Sequence, residues 1–247
     1  MAGHSKWANI RFRKAAQDAK RGKLFTKLIR EITVASRSGG ADPASNPRLR
    51  TAIDKALSGN MTRDTVDRAI KRGTGELDGA EFEEIRYEGY ASGGTAVLVE
   101  CTTDNRNRTV SEVRHIFTKY GGNLGTDGSV AYLFEKAGVF VFSPEADEDL
   151  VMDTAVSAGA EDVEISEDSS IEVTCLPTKF ENIMTAFSEA SLTPEFAEIV
   201  QRPTSDCSLS ASQAENVLGL ISALEELDDV QDVFTNASFP DDIQSAA

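Results

Sequence analysis

The sequence predicts an α+β protein: a three-helix N-terminal domain plus two ferredoxin-like α+β domains, one inserted in the other. Three observations predict it. Apolar residues recur at helical spacing up to about residue 73 and then give way to short β-type runs. Residues 138–203 read β-α-β-β-α-β, the ferredoxin-like order. The flanking pieces, 94–135 and 204–236, are each roughly β-α-β and together make a second such unit around the first. The expected domains are therefore 1–75, 80–136 with 204–240, and 137–203.

Residues 1–16 show no hydrophobic period. Residues 17–37 predict an amphipathic helix: Leu24, Leu28, Ile32 and Ala35, with Phe25 and Ile29, share one face, and Lys23, Lys27, Arg30 and Arg37 share the other. A loop at 38–43 follows. Asn46-Pro47 starts a second helix, with Asn as cap and Pro in the first turn; its apolar stripe is Leu49, Ile53, Ala56 and Leu57. Thr62 caps a third helix with Val66, Ala69 and Ile70 inward, closed by Gly73. The segment 73–79 is a linker; its glycines follow a helix, so they are no dinucleotide fingerprint.

Strands are then expected at 85–90 and 95–103, turning at Gly93-Gly94. A helix follows with Val110, Val113, Ile116 and Phe117 inward, ended by Gly121-Gly122-Asn123. Further strands are expected at 129–135 and 139–142, and a helix at 147–157. Next come strands at 162–165 and 171–175, a helix over 178–190 started by Pro177, and a strand at 195–201. Near the C-terminus, Leu209 lies close to a short strand, a helix carries Val217, Leu218, Ile221 and Leu224, and a last strand spans 230–234.

Charge is divided unevenly. Residues 1–72 hold 17 of the 25 Lys and Arg but only 6 of the 41 Asp and Glu, so they carry +11; the remainder carries −27. A cationic head is the electrostatic footprint of a polyanion binder. Lys6, Arg11, Arg13 and Lys14 surround the only tryptophan, Trp7, and Phe12. Cations beside aromatics suit phosphate contact with base stacking, or an aromatic anchor on the protein's own core. Arg48, Arg50, Lys55, Arg63, Arg68, Lys71 and Arg72 extend the positive surface.

Other chemistry finds little support. His4 and His115 have no Cys or carboxylate at metal-ligand spacing. Cys101 lies inside an apolar strand run and reads as core. Cys101, Cys175 and Cys207 are odd in number and far apart, which fits reduced thiols. The Gly-rich stretch 121–129 lacks the Lys-Ser/Thr of a phosphate loop. The acidic segment 144–172 lacks the ligand spacing of a calcium loop and reads as a solvated surface. No run approaches a membrane span, and the N-terminus has no signal-peptide core. The expectation is a cytoplasmic protein that is no enzyme, with no cofactor, no metal, no membrane association and no small-molecule substrate.

Several long strings resemble the YebC/PmpR family: Met1-Ala2-Gly3-His4-Ser5-Lys6-Trp7-Ala8-Asn9-Ile10, Asn46-Pro47-Arg48-Leu49-Arg50, Tyr87-Glu88-Gly89-Tyr90, Thr103-Asp104-Asn105-Arg106-Asn107-Arg108-Thr109 and Gly121-Gly122-Asn123-Leu124-Gly125. The resemblance implies three domains and a cytoplasmic, non-enzymatic role. The family is described as transcriptional regulators that bind promoter DNA; its mitochondrial relatives activate translation of cytochrome c oxidase, and bacterial members are linked to stalled ribosomes. The chain departs from the family at Arg11-Phe12-Arg13-Lys14, which has no histidine, and at Gln201-Arg202, which replaces an apolar pair before Pro203.

The candidate nucleic-acid contacts are Lys6, Trp7, Arg11, Arg13, Lys14, Lys20, Arg21, Lys23, Lys27, Arg30, Arg48, Arg50, Arg106 and Arg108. The last two open a helix after a strand, where phosphate contact competes with simple capping by Asp104 or Asn105. Promoter DNA and ribosomal RNA both stay open as partners, with the ribosome among them. The head shows no helix-turn-helix spacing, and a basic arm with Trp7 suits structured RNA. The alternative is an interaction scaffold whose acidic α+β domains hold a basic partner.

Overall fold

The computed structural model describes residues 21–166 and 168–240, with side chains from Lys23 onward. Helices come first and mixed α+β units follow, as the periodicity requires. Among the described residues two compact units result: one takes residues 21–130 together with Glu215–Thr235, the other takes Ala131–Ala214 and residues 236–240.

In the first unit, α1 (Arg21–Gly39), α2 (Pro47–Ser58) and α3 (Arg63–Gly73) enclose a small core. Leu28, Ile32 and Ala35 of α1 meet Leu49, Ala52 and Ala56 of α2 and Val66 and Ala69 of α3. The buried stripe of α2 therefore runs through Ala52, while Ile53 and Leu57 pack at its margin. Asn46 caps α2 by accepting from Leu49 N at 3.1 Å, and its amide donates to Ala35 O at 2.8 Å and Gly40 O at 2.9 Å. One buried side chain thus closes α1 and opens α2; such a cap contributes about 1 kcal/mol. Thr62 caps α3 through Thr65 N at 3.3 Å.

Gly73 differs from its expected role. It is the last residue of α3 and has no left-handed φ; the left-handed glycine is Gly75, at φ +81°. A Cβ on Gly73 would lie 2.3 Å from Thr33 O and 2.8 Å from Ser36 Cβ. The glycine is there for close approach of α3 to α1.

The hairpin β1 (Glu83–Tyr90) and β2 (Ala96–Thr103) follows, then α4 (Arg106–Lys119) and the short β3 (Asn123–Leu124). After the second unit the chain returns through α7 (Ala211–Glu225) to β9 (Val230–Thr235). The sheet order is β3-β1-β2-β9 with antiparallel neighbours throughout. Central β2 is buried at all but one position, as a strand covered on both faces must be. On α4 the inward set is Thr109, Val113, Ile116 and Phe117, so Thr109 takes the place expected of Val110. On α7 Leu220 is buried where Leu218 was expected, beside Val217, Ile221 and Leu224.

The second unit contains β4 (Phe134–Phe142), α5 (Glu148–Ala158), β5 (Asp162–Ile165), β6 (Ile171–Cys175), α6 (Phe180–Glu189) and β7 (Phe196–Pro203). Its sheet order, β5-β6-β4-β7, is antiparallel throughout and is the ferredoxin-like arrangement. Strands β8 (Cys207–Ser208) and β10 (Ala237–Ser238) pair in parallel. The first unit reaches the same up-and-down arrangement with a different chain order, because the hairpin joins its two central strands directly.

The two strands expected at 129–135 and 139–142 are one strand, β4, preceded by a short 3₁₀ turn at Ala131–Leu133. Gly138 interrupts the apolar pattern there, yet the strand continues through it. A Cβ at Gly138 would sit 2.7 Å from Cys175 Sγ and 2.8 Å from the Phe180 ring, so the gap accommodates α6. Phe140 stacks on Phe180 at 4.6 Å and meets Phe187 edge-on at 5.3 Å.

Candidate nucleic-acid interface

Lys6, Trp7, Arg11, Arg13, Lys14 and Lys20, and the side chain of Arg21, lie outside the described residues. The other seven candidates are all placed in the first unit. The structure divides them into cations held by the protein's own anions and cations turned to solvent.

The basic face of α1 packs against the acidic turn that joins α7 to β9. Lys23 Nζ lies 2.5 Å from Glu226 Oε2 and 2.6 Å from Glu226 O. Lys27 is half-buried; burial pulls its pKa below the usual lysine value, against the opposing charges of Glu225, Asp232 and Asp228. Arg30 donates to Asp229 Oδ1 at 2.7 Å, to Thr102 O at 3.2 Å and to Asp228 O, and lies 5.3 Å from the Phe82 ring centre. Arg37 donates to Phe82 O. A stripe that helical periodicity assigns to solvent is therefore largely an internal contact.

Asp229 is the centre of this contact. Its side chain is 3 % exposed. It accepts from Arg108 Nη2 at 2.7 and 2.9 Å, Arg108 Nε at 3.2 Å, Thr109 Oγ1 at 2.7 Å and Thr103 Oγ1 at 3.1 Å, besides Arg30. Burial alone raises a carboxyl pKa. Here the bonds from Arg108 and Thr109, the charge of Arg30 and the bond from Thr103 outweigh it and hold the group below the ordinary carboxylate value. Arg108 also reaches Asp104 at 2.8 Å. The helix cap itself is Asn105, which accepts from Arg108 N at 3.1 Å.

Arg48 forms a fork on Glu31, at 2.6 and 2.9 Å, and a second on Glu84, at 2.6 and 3.3 Å. Its pKa is raised, first by the bonds it donates to Glu31, against burial, and then by those it donates to Glu84. Arg50 donates to Pro43 O at 3.1 Å.

Arg106 is exposed, as the ion-paired Arg48 and Arg108 also are. It borders a shallow cleft of about 220 Å³ with Glu83, Glu84, Arg86, Glu88 and Asp127. Three strings that are far apart in the chain meet around it. The buried Glu88 carboxylate accepts from Gly128 N at 2.8 Å and Val130 N at 2.7 Å, which fixes the Gly-rich loop beside β1. Tyr87 Oη donates to Arg106 O at 3.5 Å. The neighbouring carboxylates offset much of the Arg106 charge, so the cleft offers hydrogen bonds more than a phosphate cradle. Arg63, Lys71 and Arg72 of α3 are exposed, with the last two at the helix C-terminus, where cations are favoured.

Sequence reasoning missed the anionic partners Asp229, Glu226, Glu31 and Glu84. The run Glu225-Glu226-Leu227-Asp228-Asp229 was the available signal. The described residues contain no group of His, Cys, Asp and Glu arranged to hold a metal ion, and none of the described helices is long and apolar enough to cross a membrane. Burial pushes the Cys101 thiol up to about 12, consistent with a core residue.

Family models cover almost the whole chain. Residues 5–76 match the TACO1/YebC protein N-terminal domain, and residues 82–237 match the TACO1/YebC second and third domain. The chain belongs to the TACO1/YebC family. A relative from Methylococcus capsulatus is 62 % identical over 243 residues, 98 % of each chain. One from Shewanella oneidensis is 61 % identical over 246 residues, 100 % of this chain and 99 % of the other. Both are named probable transcriptional regulatory proteins. A crystal structure of a conserved hypothetical protein from Aquifex aeolicus superposes with a TM-score of 0.81 at 49 % identity, covering 91 % of this chain and 93 % of that one.

Proposed function

We propose that this TACO1/YebC family protein is a non-enzymatic, nucleic-acid-binding regulator of gene expression. The observation that carries the reading is the division of charge, +11 in residues 1–72 against −27 in the rest. In this reading the head, residues 1–75, is the binding element. Lys6, Arg11, Arg13, Lys14 and Lys20 contact phosphates, Trp7 stacks on a base, and exposed Arg63, Lys71 and Arg72 extend the contact. Arg30, Arg48 and Arg108 hold the unit in shape, and Arg106 supplies a secondary hydrogen-bonding contact.

The names of the relatives support transcriptional regulation, with promoter DNA as target. The basic arm with Trp7 and the absence of a helix-turn-helix spacing favour structured RNA, and so a ribosome-associated role. The test is co-sedimentation with ribosomes, beside binding to duplex DNA, across a salt series. Neutralising about 6–10 phosphates costs about 10³–10⁵ in affinity between 50 and 200 mM salt. Reversing the charge of Lys6, Arg11, Arg13 and Lys14 is expected to flatten that slope in the folded protein. An unchanged slope refutes the reading. Retention on ribosomes at salt that releases duplex DNA selects RNA.

A further inference from the structure

The sheet of the second unit has two faces, and α5 and α6 both pack on one of them. Phe140 and Phe142 of β4 lie in that core with Val151, Ala155, Ile183 and Phe187 of the helices. Side chains alternate along a strand, so Val139 and Val141 point to the opposite face, where Phe196 and Val200 of β7 pack beside them. Val139 and Val141 are nevertheless only 2 % and 0 % exposed. The open face of a single sheet leaves its side chains wet, so this burial points to a covering segment.

The same face is acidic. Alternation places Glu135 of β4, Glu164 of β5, Glu172 of β6 and Glu198 of β7 on it, with one base, Arg202 of β7. The Arg202 guanidinium lies 3.9 Å from Glu135 and 3.8 Å from both Glu164 and Glu172, and its Nε is buried without a hydrogen-bond partner. Contacts of that length are attraction without hydrogen bonds. An apolar seam inside an acidic surround suits a segment that is both cationic and apolar. The chain owns such a segment. Between Lys6 and Lys14 it carries Lys6, Arg11, Arg13 and Lys14, no acid, and Trp7, Ile10 and Phe12. We infer that this basic arm docks on the outer face of the second unit's sheet and is held there until nucleic acid displaces it. From Trp7 to Arg21, where α1 begins, the chain can extend about 50 Å, against about 30 Å for the width of a small domain, so reach does not limit it. A tethered segment acts at an effective concentration of about millimolar, so a modest seat holds it. The acids repel nucleic acid and a second copy of the same face. The docking rests on this face alone; the competition rests also on the proposed function.

Trp7 is the only tryptophan, so its fluorescence in the full chain reports the arm. E135K with E164K reverses two exposed acids of the face, at 58 % and 48 % side-chain exposure. This pair is expected to shift Trp7 emission to the red and to open Trp7 to acrylamide. D153K with E189K, the same change of charge at exposed positions of α5 and α6, is expected to alter neither. Circular dichroism confirms that both variants fold. A Trp7 that responds to neither pair, or equally to both, overturns the docking. A wild-type Trp7 signal that changes on dilution puts the arm on a second copy and overturns it too. A photo-crosslinker at Val200 should join residues 1–20 of the same chain; a product confined to any other segment overturns the docking. Nucleic-acid binding is read separately, with an RNA hairpin and a DNA duplex. A face that holds the arm about nine-tenths of the time weakens binding about tenfold. E135K with E164K should therefore bind the preferred probe about tenfold more tightly than D153K with E189K, which has the same net charge. Equal affinities overturn the competition. No binding by any form, with Trp7 responding as expected, refutes the proposed function and the competition with it but upholds the docking.

Discussion

The guanidinium of Arg108, at the start of α4, closes on the carboxylate of Asp229, just before β9, with nitrogen–oxygen distances of 2.7, 2.9 and 3.2 Å. Arg30 of α1 reaches the same carboxylate at 2.7 Å. One buried anion therefore fastens the first helix to the sheet, and the two arginines would repel each other without it.

Asp229→Asn should destabilise the protein by about 3 kcal/mol, the lower end for breaking a buried ion pair, because Arg108 is partly solvated and recovers some hydration. Urea unfolding measures this. Replacing Arg30 and Arg108 singly and together should give non-additive losses, since both act through one acceptor. Additive losses would show that the shared carboxylate is not what couples them.

The same carboxylate sets an acid limit. Its folded-state pKa lies below the ordinary 3.8. The stabilisation it contributes is complete above 3.8 and is lost as pH falls through the lower, folded-state value. The stability difference between the wild type and Asp229→Asn should stay level from neutrality to about pH 5 and shrink below 3.8. A difference that shrinks near neutrality would point to another group.

Gly73→Ala and Gly75→Ala should differ in kind. Alanine at 73 gains about 1 kcal/mol of helix propensity but drives a methyl to 2.3 Å from Thr33 O, so a net loss of about 2 kcal/mol or more is expected. At Gly75 nothing lies near the added methyl, and only the positive φ costs, by about 1 kcal/mol. Thermal unfolding of the two variants tests the order.

Thiol reactivity should follow burial. Cys101 and Cys175 are buried, with their thiols pushed up to about 12 and about 11 respectively by burial, and Cys207 is half-buried. A disulfide reagent at pH 8 should modify Cys207 first, and the other two only on unfolding. Rapid labelling of Cys101 in the native protein would reopen the question of a reactive thiol.

The sequence by itself determined the caps at Asn46 and Thr62, most of each helix's inward face, the ferredoxin-like order of the second unit and the division of charge; it left the α4 cap open between Asp104 and Asn105. Asn46, Thr62 and Asn105 bond three residues ahead, and an apolar stripe repeats within a few residues, so these features are written locally. It did not determine which cations remain available. Lys23, Arg30 and Arg108 find their anions at Glu226 and Asp229, more than a hundred residues away. Gly73 and Gly138 likewise took their meaning from helices packed against them. Periodicity records which side of an element faces its own core. Only closure of the chain brings a distant carboxylate or backbone oxygen to the opposite side, and short-range electrostatics and steric contact act only after that closure.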